Sequence, residues 1–161
     1  MKRNKNLETL SWEHHDGLVI AFRMEKGINN NVAPDIVAQY LLYIWDHSLQ
    51  HHFWQEEESL TAPLQATSKG RELLQQMLDE HRQFKNIVST IRSNNKDYTP
   101  YVMQFYQKLN KHIRFEERKL FPLVEELCSE SELKNIGIFL HKNHQPGKKE
   151  WNPEFWREKD E

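Results

Sequence analysis

The sequence has little of what several classes of protein require. Its single cysteine, Cys128, rules out an intrachain disulfide and a zinc site built from several thiolates. Only five glycines occur in 161 residues, and no turn dipeptide between alternating apolar residues predicts a β-hairpin. No apolar run approaches the ~20 residues that cross a bilayer, and no basic cluster is typical of nucleic-acid binding. We therefore expect neither a membrane nor a nucleic acid as a partner.

The charge and the length of the chain indicate its class. The formal net charge is -2, and no apolar run typical of a signal peptide follows the first basic residues, so we expect a cytoplasmic protein. With 161 residues, of which 37% are hydrophobic, the chain can bury one sizeable core. We expect a single domain over residues 1–161, with a bundle over about 8–128 and a short helix and tail over 129–161.

Apolar residues recur at helical spacing along most of the chain, which predicts an all-α fold, an up-down-up-down four-helix bundle. The first helix is expected over residues 11–26 with Gly27 as its stop signal, and the second begins at Pro34. The third helix begins near Ser68, and the segment SNNKDYTP at 93–100 closes it.

Two later helices have recognisable starts. Thr99 as N-cap and Pro100 at the first helical position start the fourth helix. Ser129 and Glu132 form a capping-box pattern for a short fifth helix that ends near His144. An irregular C-terminal tail follows, and its aromatic residues indicate that it packs on the bundle.

Residues that can bind metal interrupt the apolar stripes of three predicted helices. His52 and Glu56 lie on the second helix, His81 on the third, and His112 and Glu116 on the fourth. A buried imidazole or carboxylate without a partner is costly, so these side chains need partners in the core. A histidine and a glutamate four residues apart share a helical face, so both can reach one ion or the carboxylate can bridge two. We therefore predict a metal site in the bundle core.

The spacing of the histidines also predicts that they lie at one level. In an antiparallel bundle, two residues equidistant from a connection have about the same height. Successive pairs among His15, His52, His81 and His112 have midpoints in or beside predicted connections. Four helices would then bring one histidine each into a single layer, as expected of a metal site in a bundle core.

The types of donor narrow the choice of metal. Imidazole and carboxylate groups without thiolates favour iron, with manganese and zinc as less favoured alternatives. The chain contains no Glu-x-x-His pair, no HExxH and no CxxC, so the ferritin-like and the common zinc patterns are absent. The order His-x-x-x-Glu occurs instead on two helices.

Four segments resemble the ligand-bearing segments of the hemerythrin family, specifically the HHE cation-binding domains. They are EHHDGLV, HFWQEE, EHRQF and HIRFEERKLFP, in this order and spacing, and they cover the four main helices. The resemblance implies a bundle that holds two irons and carries, senses or reacts with oxygen and related small oxidants, or responds to iron. It implies terminal ligands at His15, His52, His81 and His112, and bridging carboxylates at Glu56 and Glu116.

The sequence departs from the oxygen-carrying members of that family. Those proteins have a second histidine one turn before the ligand of the third helix, where this chain has Met77, so one iron is expected to lack a nitrogen ligand. Their carboxylate on the fourth helix lies five residues after the histidine, which corresponds to Glu117 here. The wider group uses a spacing of four, which favours Glu116, in agreement with the apolar stripe.

The first helix offers two adjacent histidines. We favour His15 over His14 because apolar residues follow it at the spacing that the family shows, namely Leu18, Val19 and Phe22. His14 remains the alternative.

Other polar residues are expected outside the site. We expect His47 and His51 at the surface or behind the ligands, and Glu57 and Glu58 in solvent. A solvated helix end is favoured over a small second metal site for His141 and His144, and Cys128 is expected to be a spectator. The list of predicted ligands therefore stays with the residues that the family resemblance marks.

Three functions remain open at this point. The first is a di-iron protein that binds or senses oxygen, peroxide or nitric oxide, or reports iron and redox status. The second is an enzyme in which an open iron position activates an oxidant for peroxidase-like or repair chemistry, although no catalytic residue is predicted. The third is a metal-free helical interaction domain.

Overall fold

The computed structural model describes residues 2–93, 96–147 and 150–157. Residues 94–95, within the predicted connection after the third helix, and residues 148–149 and 158–161, in the predicted tail, lie outside the described residues. In the described part all regular structure is helical, as predicted, and no helix there is long and apolar enough to cross a membrane. The α-helices are α1 (Glu8–Asn29), α2 (Pro34–Ile44), α3 (Gln50–Leu64), α4 (Ser68–Ser93), α5 (Thr99–Phe115), α6 (Phe121–Leu127) and α7 (Glu130–Asn143).

Two π-helical turns join some of these helices end to end. The turn Trp45–Leu49 joins α2 to α3, and the turn Glu116–Leu120 joins α5 to α6. The chain thus forms four long helical segments and the shorter α7, and α1 packs mainly against α5 while α3 and α5 flank α4. A π turn changes the direction of the side chains that follow it, and such turns are common near functional residues. The second turn begins at Glu116, one of the predicted site residues.

Gly27 does not end the first helix, contrary to the prediction. The helix α1 continues to Asn29, and Asn31 makes the turn with a positive φ of 57°. Gly27 is buried where the C-terminal tail crosses the helix, and a Cβ atom there would lie 2.7 Å from the ring of Phe155. The glycine is therefore required for close packing rather than for helix termination.

The two predicted helix starts have different outcomes. The capping box of α7 is confirmed, because the Ser129 hydroxyl accepts from the Glu132 N–H and the Glu132 carboxylate accepts from the Ser129 N–H. The assignment of Thr99 as N-cap is wrong. Thr99 is the first residue of α5, and its N–H donates to the carboxylate of Asp97. Pro100 lies in the first helical turn, where its missing N–H costs nothing.

The apolar core consists of two clusters. The tail-side cluster includes Met24, Leu41, Phe84 and Phe155, and the α7-side cluster includes residues such as Leu10, Leu60, Met77, Phe121 and Leu140. On α1 the change from one cluster to the other falls at His14, and on α4 it falls at His81. A layer of buried polar side chains therefore separates the two clusters.

Candidate metal centre

Six polar side chains meet in the layer between the two clusters, and each is at most 6% exposed. We call them the inner layer. They are His14 on α1, His52 and Glu56 on α3, His81 on α4, His112 on α5, and Glu116 at the start of the second π turn. Their donor atoms form two groups in which all atoms lie within 4.8 Å of one another, and both carboxylates belong to both groups.

The inner layer has two halves of nearly equal geometry. The α1/α3 half contains His14 and His52, whose ring centroids lie 4.9 Å apart at 62°. The α4/α5 half contains His81 and His112, whose centroids lie 5.0 Å apart, also at 62°. The two histidine pairs therefore have nearly the same spacing and angle.

Both carboxylates of the inner layer reach both halves. Oε1 of Glu56 lies 3.3 Å from Nε2 of His52 and 3.2 Å from Nε2 of His81. Oε1 of Glu116 lies 3.2 Å from Nε2 of His14 and 2.7 Å from Nε2 of His112. The two i,i+4 contacts follow from the shared helical face that the sequence predicts. A carboxylate placed between two pairs of imidazoles can bridge two cations.

The structure corrects the choice between the two adjacent histidines of α1. His14 is buried in the inner layer, whereas His15 is exposed on another face of the helix. The prediction failed because Leu18 and Phe22, on which it depended, are 39% and 55% exposed. The buried face of α1 instead carries Leu10, His14, Gly17, Ala21 and Met24.

The atoms that face the middle of the layer have no hydrogen-bond partner among the described residues. They are Nε2 of all four histidines and both carboxylate oxygens of Glu56 and Glu116. Their nearest polar neighbours are one another, at 2.7–3.4 Å between imidazole Nε2 and carboxylate oxygen, and these contacts are ion pairs only when the imidazoles are protonated. A buried polar atom left without a partner costs about 1–3 kcal/mol, so neutral imidazoles in this layer need another partner, which a shared cation can supply. Imidazole nitrogens and carboxylate oxygens are donors for divalent transition metals. The residues present therefore fit metal cations.

A second set of carboxylates lies behind the histidine rings. We call them the outer carboxylates, and they are Glu13, Glu57, Glu80 and Glu117. The closest contacts to Nδ1 are 2.7 Å from Glu13 to His52 and 2.7 Å from Glu80 to His112. A carboxylate behind a ligating imidazole fixes the orientation of the ring and makes it a better donor.

The other two outer carboxylates lie farther from the histidine nitrogens. Oε1 of Glu57 lies 3.3 Å from Nδ1 of His81, and Oε2 of Glu117 lies 3.6 Å from Nδ1 of His14. Glu57 is 40% exposed, as the expectation of a solvated residue implies, but it also contacts His81. Glu116 lies in the inner layer and Glu117 outside it, which is the arrangement that the sequence analysis favours.

Sequence reasoning missed the outer carboxylates although a local signal exists. Each of them is the direct neighbour in sequence of an inner residue, as Glu13 is of His14 and Glu80 is of His81. Each nevertheless contacts a histidine of a different helix, since Glu13 on α1 reaches His52 on α3. The four contacts run from α1 to α3, from α3 to α4, from α4 to α5, and from the second π turn back to α1. The ring of contacts ties the four long segments together.

Charge balance in the layer raises the pKa of the histidines. Burial by itself would lower the pKa of His52 and of His112, but the carboxylates of Glu56 and Glu116 outweigh burial and raise each pKa to about 9. The pKa of His81 is raised by the same competition. Burial opposes the lowering of the Glu56 pKa, yet the surrounding imidazoles hold it well below its usual range. Without metal, these shifts favour protonated imidazoles around an ionised Glu56.

Aromatic rings back two of the inner histidines. Phe121 stacks on His14 with centroids 5.1 Å apart at 4°, and Phe53 stacks on His81 with centroids 4.2 Å apart at 20°. Met77, one turn before His81, is fully buried in the α7-side cluster. These apolar neighbours restrict water around the layer and strengthen its electrostatic interactions.

The remaining histidines have different surroundings. His47 and His141 are exposed, in line with the expectation for the surface, and His51 Nε2 donates to the carbonyl of Asn143 at 2.7 Å. His144 is not a purely solvated helix end, because its Nδ1 lies 2.9 Å from Oε2 of Glu13. The lone Cys128 is buried.

Comparison with known proteins agrees with the geometry. The family model described as the hemerythrin HHE cation binding domain matches residues 7–124. The matched residues include the whole inner layer and the four outer carboxylates, and they leave out α7 and the C-terminal segment. Neither the curated proteins nor the solved structures gave a match.

Proposed function

The chain belongs to the hemerythrin HHE cation-binding family, and from this premise we propose that it is a non-haem protein that binds two irons. We further propose that it uses them to bind or sense oxygen, peroxide or nitric oxide, or to report iron and redox status. The observation that carries the proposal is the pair of donor groups that share two carboxylates. One ion in each half would satisfy the inward-facing atoms that have no partner among the described residues.

The donors assign a role to each inner residue. His14 and His52 would hold the ion of the α1/α3 half, and His81 and His112 would hold the ion of the α4/α5 half. The bridging carboxylates would come from Glu56 and Glu116. Iron is favoured over manganese and zinc because the donors are imidazoles and carboxylates without a thiolate.

Iron in this layer would supply reversible electron transfer and an open coordination position for a small ligand. The protein orients the imidazoles through the outer carboxylates and limits water with the two apolar clusters. The α4/α5 half has Met77, a soft thioether, at the position where the oxygen carriers have a further histidine. We infer that this half is the more open to a small oxidant.

One observation favours an enzyme as the second candidate. A cleft of about 410 Å³ lies beside His81, with Trp45, Phe53, Trp54 and Lys85 among its lining residues. The cleft has room for a small reducing co-substrate next to the α4/α5 half. A peroxidase-like or repair activity would use this cleft, whereas a binding or sensing protein has no need of it.

Metal analysis tests the binding proposal directly. The chain is loaded with iron(II) without oxygen, desalted, and assayed for iron per chain together with its optical spectrum. We expect about two irons per chain, and a reproducible value of one or less would contradict the dinuclear assignment. If iron neither binds nor raises the Tm, the metal-free interaction domain becomes the better interpretation.

Turnover separates the two metal-dependent functions. The loaded protein is mixed with excess peroxide and a reducing co-substrate, and product is counted per chain. A sensor or carrier is expected to stop after one reaction per centre, whereas sustained turnover would establish the enzyme.

A further inference from the structure

The segment after α7 reaches back to the α1/α3 half. Nδ1 of His144 lies 2.9 Å from Oε2 of Glu13, and Oε1 of the same carboxylate lies 2.7 Å from Nδ1 of His52. Glu13 therefore connects the inner histidine His52 to His144, which lies 131 positions after Glu13 in the chain. His144 also lies beyond residues 7–124, to which the family match extends.

Glu13 is the most firmly held of the outer carboxylates. Besides the two histidines, it accepts from Nε2 of Gln55, at 2.9 Å to Oε1 and 3.3 Å to Oε2. Gln55 is fully buried, and the Glu13 side chain is 13% exposed. His144 is 37% exposed, so it is the outermost member of this chain of contacts. Without the His144 imidazole, the described contact that remains for Oε2 of Glu13 is the 3.3 Å hydrogen bond from Gln55.

The segment that carries His144 is fixed in place on α3. His51 Nε2 donates to the carbonyl of Asn143 at 2.7 Å, directly before His144. Gln145 and Gly147 line a narrow cleft of about 20 Å³ beside Glu13 and His52. This volume holds little more than one water molecule. The segment thus covers the α1/α3 half from solvent.

In the α4/α5 half, the contact that corresponds to Glu13 with His52 is that of Glu80 with His112, which is also 2.7 Å long. Glu80 accepts a further hydrogen bond from Gln76 of its own helix, and no residue of the segment after α7 is among its described partners.

The other outer carboxylate of this half, Glu57, lies in a more open position. The Glu57 side chain is 40% exposed and lies 3.3 Å from His81, beside the cleft of about 410 Å³. Within the described part of the chain, no second side chain donates a hydrogen bond to the Glu57 carboxylate. The two halves therefore have similar inner donors and one close outer carboxylate each, and among the described residues they differ in that the segment after α7 holds the close carboxylate of the α1/α3 half.

We propose that His144 is a positioning residue of the α1/α3 half, which holds Glu13 against His52 and thereby makes the ion of this half the slower to leave. The inference rests on the proposed metal centre. It adds a residue from outside the matched segment, and it makes the two ions inequivalent. An outer partner of a ligating histidine typically changes metal affinity by about 10- to 100-fold. Because His144 acts through Glu13, we expect a smaller change of about three- to tenfold in release rate.

The first test measures metal release to an excess of chelator from the full chain. The wild type is expected to show a fast phase from the α4/α5 half and a slow phase from the α1/α3 half. His144→Ala should accelerate the slow phase, and His144→Asn, which keeps a donor at the position of Nδ1, should restore it. His141→Ala, which removes an exposed histidine three residues earlier in the chain, is the matched control and should change neither phase.

The second test does not require metal. Nuclear magnetic resonance of ¹⁵N-labelled histidine in the metal-free protein follows the Nδ1–H of His52, which donates to Glu13. His144→Ala should accelerate its exchange with solvent, while the ring N–H of His112, held by Glu80, should not change. A general loss of structure would move both signals, so the comparison isolates positioning from folding.

The outcomes distinguish this inference from the proposed function. An unchanged His52 signal in His144→Ala overturns the inference whatever the metal content. A changed signal with an unchanged slow phase overturns it as well, because the link would not affect the ion. If the wild type binds no metal, the proposed function fails, and a changed His52 signal would still support the positioning of His52 by His144.

Discussion

The two halves of the metal centre are alike at their inner surface and unlike behind it. Their imidazole rings meet at 4.9 and 5.0 Å with the same angle of 62°, and both halves share the same two carboxylates. Each half has one outer carboxylate 2.7 Å from a histidine, but Glu13 is also held by His144 from a distant segment, whereas the described additional partner of Glu80 is Gln76 of its own helix. The cleft beside Glu13 is narrow, and the cleft beside the 40% exposed Glu57 is wide. If each half binds an ion as we propose, similar inner donors need not give the two ions the same behaviour, because the contacts and the solvent access behind the donors differ.

Removal of a shared carboxylate should abolish metal binding in both halves, and this is the largest expected effect. Glu56→Ala should lose most of both irons, because its carboxylate contacts His52 and His81 on opposite halves. His52→Ala should first lose the ion of its own half. Iron per chain after anaerobic loading measures both effects, and Glu58→Ala, on the exposed face of α3, is the control. Near-normal iron content in Glu56→Ala would show that the carboxylate does not bridge.

Neutralising one outer carboxylate should weaken metal binding by different factors in the two halves. Glu13→Gln should weaken binding of the α1/α3 ion by about 10- to 100-fold, because Glu13 is mostly buried and lies 2.7 Å from His52. Glu57→Gln should weaken the other ion less, since Glu57 is 40% exposed and 3.3 Å from His81. Competition with a chelator of known affinity gives both values. Equal losses would show that the outer contacts of the two halves are equivalent.

The pKa shifts of the metal-free protein have the same direction in both halves. Each half has one histidine, His52 or His112, whose pKa is raised from 6.5 to about 9. A raised pKa stabilises the fold fully below pH 6.5, and this stabilisation is lost as the pH rises through about 9. Glu56 has the opposite sign, because its lowered pKa stabilises the fold above pH 4.5 and this is lost at lower pH.

The metal-free protein should therefore have its highest Tm between about pH 4.5 and 6.5 and a falling Tm toward pH 9. Metal binding near neutral pH should release protons, because a ligating imidazole must give up the proton on its donor atom. Circular dichroism melts and calorimetry in buffers of different ionisation enthalpy measure the two effects. His47→Ala is the control, since His47 is exposed. A Tm that rises from pH 6.5 to 9 would contradict the protonated layer.

An additional imidazole in the α4/α5 half should have the smallest effect. Met77→His would place a ring one turn before His81, and we expect it to slow release of that ion by a few fold. The gain is small because Met77 is fully buried in the α7-side cluster, where a polar ring costs about 1–3 kcal/mol. Chelator release and the metal-free Tm report the gain and the cost, with Met77→Leu as the control. Equal slowing of both ions would mean that Met77 does not belong to one half.

The sequence was sufficient for most of the fold because the relevant signals are local. The capping box of Ser129 and Glu132, the helix starts near Pro34 and Ser68, and the helical periodicity all depend on nearby residues. The i,i+4 pairs of the inner layer are local in the same sense. Such patterns predict which face of a helix turns inward as long as that face alone is apolar.

The predictions failed where contacts with distant segments determine how a residue is placed. Trp12 and Phe22 are exposed on α1, so the helix has apolar residues on two faces, and His14 could not be chosen over His15 from periodicity. The role of Gly27 depends on the path of the tail that brings Phe155 onto it. His144 meets Glu13 only because the segment after α7 returns to α1. None of these contacts has a signature in the nearby sequence.

The polar layer between the two apolar clusters also affects how the helices find their alignment. Two purely apolar helix surfaces can pack in several registers of similar free energy, because apolar contacts are not directional. A shift of α4 by one turn, about 5.4 Å, would move His81 to the level that Phe84 or Met77 now occupies, inside an apolar cluster. Glu56 would then lose its contact with His81. The inner layer therefore favours one register of the bundle, and it does so in the metal-free protein.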